Sequence, residues 1–287
     1  MSIILSRDIV LTDASVEDPN AGHIGYHTLL TFSNVTADSE ETENPARNLA
    51  NVATNLFWRS LSNSEQYLTV APGLNAGIDY VGFANHNFGS GGISYQVQGS
   101  DDGVDWEDIG DLIIPDGDGP HMQIFPLTVK LFYRIKLTPS GLIVPRAAVI
   151  YLGKCLVLQR RTYVGHTPIT MGRDSKFSTN ISESGQFLGR VVKSESLNTA
   201  LNLKNLTPEW YRTYFDPFAK SAATRPFFWA WRPVDYPLEV GYCWTTDDIV
   251  PKNQSANGMM ETSFKISGIG SFIATDEINN DDYEVST

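Results

Sequence analysis

Four small groups of residues in this 287-residue chain combine types and spacings that could do chemistry. Asn85-His86-Asn87 sets an imidazole between two carboxamides, just beyond the strand-like run Tyr80 to Phe83. Short polar side chains at a loop end can hold a small ligand. Trp58-Arg59 joins a flat apolar face to a fork of donors, a pairing suited to sugars or acidic surfaces. A Trp in that position also reads as core. Asp101, Asp102 and Asp105, and separately Asp116 and Asp118, offer carboxylates to a calcium ion. Neither group follows the EF-hand loop, which places alternate oxygens around one ion and ends on a bidentate Glu. Asp beside Gly is also expected from turn chemistry alone.

The commoner catalytic patterns are missing. No GxxxxGK[ST], HExxH, GxSxG or CxxC motif occurs. His23, His27, His86, His121 and His166 lie far apart without ligand spacing. Carboxylates are in surplus, but nothing selects the facing pair that glycoside cleavage requires. A non-enzymatic chain without a cofactor is the expectation.

Composition narrows the partners. Apolar residues at 41% and aromatics at 11% suit a folded globular protein. A formal charge of -12 argues against nucleic acid and anionic membranes, since phosphates attract Lys and Arg. No apolar run approaches the ~20 residues of a membrane helix, so membrane insertion is not expected. The N-terminus lacks the basic start and long apolar stretch of a secretory signal, and Cys155 and Cys243 sit in apolar runs. Folding in a reducing cytoplasm with both thiols free is expected.

The elements that must position these residues are mostly strands. Ile3–Leu5 and Ile9–Leu11 open the chain. Leu29–Phe32, Tyr67–Val70, Tyr80–Phe83, Ile93–Val97, Leu112–Ile114, Met122–Phe125, Leu131–Leu137 and Ala147–Leu152 follow between Gly-, Pro- and Asp-rich turns. Tyr95 to Ile109 reads as a hairpin turning at Ser100-Asp-Asp-Gly103 and anchored on a buried Trp106. Many short strands at this spacing suggest a sandwich or jelly roll. Past Gln159-Arg160-Arg161, strands are expected at 187–192 and 197–203. One helix then spans 208–222, capped by Thr207, with Trp210, Tyr211, Tyr214, Phe215, Phe218 and Ala222 on its apolar face. Phe227–Trp231, Leu238–Thr245 and Thr262–Ile273 complete a domain in which the helix covers a sheet or barrel. The divisions are a strand or arm over 1–27, a first domain over 28–158, a second over 159–274, and an acidic tail over 275–287. The fold class is mostly β, a sandwich followed by an antiparallel barrel or sandwich with one helix.

Residues from about Leu30 to Leu158 resemble the discoidin, or coagulation-factor C-type, galactose-binding-like jelly rolls. The matching pieces run in the family's order. They are Val35-Thr-Ala-Asp-Ser39, Asn44-Pro-Ala-Arg-Asn-Leu49, Trp58 ahead of Tyr67-Leu-Thr-Val70, Ile78-Asp-Tyr-Val-Gly82, Gly99 to Trp106, and Phe132-Tyr-Arg-Ile-Lys136. Ser100, Asp102, Gly103 and Trp106 form the most specific of them. No Cys pair brackets the module, so the family's extracellular sugar or membrane binding does not carry over. Residues from about 162 to 274 resemble more faintly the β-barrel-plus-helix domains of tailed-phage distal-tail and baseplate-hub proteins, through 208–222, Pro226 to Trp231, Tyr236 to Trp244 and the strand ending Ile266-Ser-Gly268.

Together the resemblances imply a structural component of a phage tail tip or baseplate, assembled in the host cytoplasm and carried in the virion. The C-terminal domain would self-associate into a hexameric or trimeric ring beside other tail proteins, with Arg160, Arg161, Arg225 and Arg232 available to interfaces. The jelly roll would face outward, toward protein or a host-surface glycan. A carbohydrate-recognition receptor binder, sensitive to His86 or Trp58, is the alternative reading. A glycan-active enzyme carrying an accessory module is the weaker one.

Overall fold

The computed structural model of the chain describes residues 3–5, 20–162, 165–255 and 258–270. The first of three sheets takes β1 (Ile3–Leu5), β4 (Trp58–Arg59), β6 (Ala76–His86), β9 (His121–Lys130) and β11 (Arg146–Gly153), in the order β1-β9-β6-β11-β4. The second takes β3 (Val35–Ala37), β5 (Gln66–Val70), β7 (Ile93–Ser100), β8 (Glu107–Ile113) and β10 (Phe132–Pro139), in the order β3-β5-β10-β7-β8. The third is built from β2 (His23–Gly25), β12 (Leu156–Val157), β13 (Arg173–Ile181), β14 (Phe187–Leu206), β15 (Phe227–Ala230), β16 (Val240–Thr245) and β18 (Met260–Gly270). Its order is β12-β2-β15-β16-β18-β14-β13, with β17 (Pro251–Asn253) also on β18. Among the described residues every ladder is antiparallel except β1 on β9.

Alternation of side chains stacks these sheets. In the second sheet, β5 turns Gln66, Leu68 and Val70 inward, and β10 turns Tyr133, Ile135 and Leu137 the same way. They meet Val81, Phe83, Ile150 and Leu152 of the first sheet in one core, which also holds Trp58. The first sheet is covered on both faces. Its Tyr80, Ala84, Met122, Val149 and Tyr151 point the other way, onto Phe228, Ala230, Val240 and Tyr242 of the third sheet. That double burial explains why β11 reads as a nearly unbroken apolar run. The next residues along β15 and β16, Phe227, Trp229 and Cys243, face away into a third core beneath the helix. The molecule is therefore four layers deep, three sheets and a helix.

The junction between first and third sheets is tight. A Cβ at Gly82 would lie 2.8 Å from the Phe228 ring, so this position needs the absence of a side chain. Tyr151 donates to the Pro226 carbonyl at 3.0 Å, and Tyr242 to that of Val52 at 2.8 Å.

The helix begins as expected. Thr207 has extended backbone angles, its hydroxyl accepts from the Trp210 amide at 3.4 Å, and Pro208 takes the first turn. It runs Pro208–Trp210, a π-helical turn at Tyr211–Phe215, then Asp216–Ala222. Pro217 has no amide proton for the ladder, and the widened turn lies directly before it.

Some expectations change. Leu29–Phe32 is not a strand. Side chains staple it instead: Thr28 accepts from the Leu30 amide, while Asn34 donates to Leu29 and accepts from Thr31. The two strands expected at 187–192 and 197–203 are one, β14, and β13 joins it. Chain from both sides of the sandwich, β2 and β12, pairs within the third sheet. That sheet is antiparallel β with one helix, and no ladder joins β12 to β13 among the described residues. Ile9–Leu11, the end of the run to Ile273, and 275–287 lie outside the described residues.

Candidate binding surfaces

At the end of β6 the Asn-His-Asn loop closes the sandwich core. Asn85 takes a left-handed φ of 51° and donates to the Thr54 carbonyl at 2.5 Å. His86 is buried, with Nε2 2.9 Å from the Gly119 carbonyl and Nδ1 accepting from the Phe88 amide at 3.2 Å. This arrangement holds the neutral ring protonated on Nε2. Burial pushes its pKa down to about 4. Asn87 donates to the Val144 carbonyl at 2.8 Å and accepts from the Arg146 amide at 2.8 Å. Around His86 pack Phe83 and Phe88, while His121 takes the Tyr95 hydroxyl at 2.6 Å. Asn85 and His86 end β6 and Asn87 follows it; each of the three side chains bonds backbone, and Asn85 remains exposed.

Trp58 lies wholly inside the sandwich core and donates its indole N–H to the Ser39 carbonyl at 3.1 Å. No face of it is open to a sugar, which corrects the ligand reading of this position. Arg59 points outward to Glu41 at 3.3 Å.

The acidic turn residues take local partners. The Asp102 carboxylate accepts from the Ser100 hydroxyl and from the Val104 and Asp105 amides at 2.8–2.9 Å, which lowers its pKa. Asp101 pairs with Lys130 at 2.8 Å, and Asp118 accepts from the Ser90 amide and hydroxyl. Asp105 is exposed in the same turn. Among the described residues no group of three His, Cys, Asp or Glu side chains is placed to hold a metal. Both cysteines are free thiols. Of the arginines assigned to interfaces, Arg160, Arg161 and Arg225 are exposed, whereas Arg232 bonds Asp235 at 3.0 Å.

Two features escaped the sequence reading. The first is the outer face of the second sheet. Trp106 is half-buried there instead of sealing the core, and the Arg134 guanidinium lies 4.2 Å from its ring centroid. The Tyr67 ring stands 4.2 Å from the same guanidinium. Because β10 runs between β5 and β7, the two rings flank Arg134 from opposite sides. Arg134 Nε donates to Gln98 Oε1 at 2.6 Å, and Gln98 is oriented by donating to Asp108 at 2.6 Å. Lys136 pairs with Glu65 at 2.9 Å, and Tyr67 also donates to Glu65.

The second is an arm. From Phe187 to Ser196, β14 pairs with β13 alone, and its ladder to β18 begins at Leu197. Phe177, Ile181, Phe187 and Val192 are exposed at 45–66%. Phe177 opposes Val192, and Ile181 opposes Phe187, so all four share one face. Arg190 lies over Phe177 on that face, while exposed Val191 occupies the other. The outer edge of β13 pairs with nothing among the described residues.

No protein-family model matches the chain, and no curated protein matches it. Solved structures do match. Chitosan-binding module 1, derived from chitosanase/glucanase from Paenibacillus sp. IK-5, is 19% identical over 44% of this chain and 98% of its own, with a TM-score of 0.39. A Clostridium perfringens CBM32 module in complex with GalNAc-β-1,3-galactose is 18% identical over 42% and 93%, with a TM-score of 0.37. The CBM32 of AlyQ, in complex with 4,5-unsaturated mannuronic acid, is 16% identical over 45% and 96%, with a TM-score of 0.37.

Proposed function

We propose that this chain is a non-enzymatic structural protein of a tailed-phage tail tip or baseplate. Its C-terminal half closes a ring of three or six copies, and its sandwich projects toward neighbouring proteins or the host surface. The observation that supports the reading is the arm of β13 and β14. A two-stranded ribbon is marginal in water by itself, and exposed apolar residues along a free edge invite another chain. A second copy satisfies both requirements, and repetition around a closed ring leaves no edge open. Electron microscopy of the purified chain tests this directly. Annular particles with threefold or sixfold symmetry are expected, and a field of single isolated chains contradicts the reading.

A second reading, carbohydrate recognition by the sandwich, is favoured by the outer face of its second sheet. Aromatic rings, amides and charged groups share that face, a mixture that suits a polyhydroxylated ring. In this reading Tyr67, Trp106 and Arg134 replace Trp58 and His86 as the contact residues. A glycan screen with the wild-type protein and a Tyr67→Ala/Trp106→Ala variant tests it. The variant should lose whatever glycan the wild type retains.

A further inference from the structure

Arg134 is unusual for a chain this acidic. Its guanidinium lies 4.2 Å from the ring centroids of both Tyr67 and Trp106, donates through Nε to Gln98, and forms no ion pair among the described residues. Its two Nη nitrogens have no hydrogen-bond partner there either. The acids nearby are otherwise engaged, Glu65 by Lys136 and Tyr67, and Asp108 by Gln98. A side chain that ordinarily sacrifices rotamer freedom on binding is thus already fixed, with its donor fork open to solvent.

We propose that Arg134, between Tyr67 and Trp106, is the binding site for the carboxylate of an acidic saccharide, a uronate-type sugar. This rests on the carbohydrate-recognition reading and names its ligand class. The fork matches a carboxylate through two parallel hydrogen bonds. A planar carboxylate lies in the guanidinium plane, within the slot that the flanking rings keep thin, whereas a sulfate or phosphate ester carries oxygens out of that plane. The rings then offer their edges and outer faces to the C–H surface of the sugar. A peptide ligand suits the site poorly. Arg134 is on the central strand of its sheet, with both neighbours paired, so no backbone edge is free for strand addition.

Titration calorimetry with the full chain tests the assignment. The probes are oligosaccharides of galacturonate, glucuronate and mannuronate, their methyl esters, a neutral galactan fragment and a polyglutamate peptide. At least one uronate should bind, at least about tenfold more tightly than its methyl ester, and the affinity should fall with added salt. Arg134→Gln should weaken that uronate at least about tenfold with an unchanged melting temperature. Arg134→Lys, which keeps the charge but not the fork, should restore little. Uronate binding indifferent to Arg134→Gln overturns the site, and polyglutamate bound as tightly as the uronate overturns the saccharide assignment. A neutral galactan bound while every uronate fails refutes this site and leaves carbohydrate recognition standing. No glycan bound by folded protein removes both.

Discussion

His86 and Arg134 show at single-residue scale how burial decides what a polar group does. His86 stands in a motif that advertises a site, yet its ring nitrogens face the Gly119 carbonyl and Phe88 amide inside the core. Those partners come from distant or backbone positions, so no local pattern reveals them. Arg134 sits in an ordinary strand sequence, and its rings arrive from β5 and from the turn after β7. The Ser100-Asp102-Gly103 turn was legible because its bonds are local: the Ser100 hydroxyl accepts from the Gly103 amide at 2.8 Å, and Gly103 has φ of +77°. Two predictions follow from burial. Trp58→Ala should destabilise the protein by about 3–5 kcal/mol in urea titrations, while Arg59→Ala stays within about 0.5 kcal/mol. Acid should also destabilise it through two neutral histidines. Burial lowers His23 and His86 to about 4, below the unfolded value near 6.5. The unfolded chain therefore takes up protons first, and stability falls as pH drops from about 6.5 toward 4, on the order of 3 kcal/mol per histidine. Asp79 opposes them. Burial raises it to about 6, so its cost is present at neutral pH and fades as pH falls from about 6 toward 4. Asp79→Asn should accordingly steepen the acid loss in denaturation curves at pH 7, 5.5 and 4.5, and a shallower loss would contradict this assignment.

Elements were legible where one face is buried and the pattern repeats. β5, β10 and the helix alternate or recur on schedule because each packs on a single neighbouring layer. β13 was missed for the opposite reason: it buries neither face, so Arg173 to Ile181 carries no period-two signal. β2 and β4 are too short to show a period, and Leu29–Phe32 lost its strand to side-chain staples. The capping residue gives a clean test of the helix. Thr207→Ala should cost about 1 kcal/mol in thermal or urea unfolding, with no effect on the sandwich. Gly82→Val tests the seam between sandwich and third sheet. The added methyls meet the Phe228 ring, and a loss of about 1–3 kcal/mol is expected. A neutral outcome would mean that Phe228 can withdraw and that the seam is looser than its geometry.

At the scale of the molecule, the four layers leave the arm of β13 and β14 outside every core. Sheet, sheet, sheet and helix each cover the next, and Tyr80, Tyr151, Phe228 and Tyr242 bind the sandwich to the third sheet. The arm presents apolar side chains along a strand whose outer edge pairs with nothing among the described residues. The seam between the sandwich and the third sheet was not legible in the sequence, since it depends on β2 and β12 entering that sheet from either end of the sandwich. The measurement that bears most directly on the central claim is the solution mass of the full chain by light scattering behind a sizing column, with an Ile181→Asp/Phe187→Asp variant beside it. A trimer or hexamer is predicted for the wild type, and a folded monomer for the variant. A monodisperse wild-type monomer at micromolar concentration, or a ring that the variant leaves intact, would contradict the account.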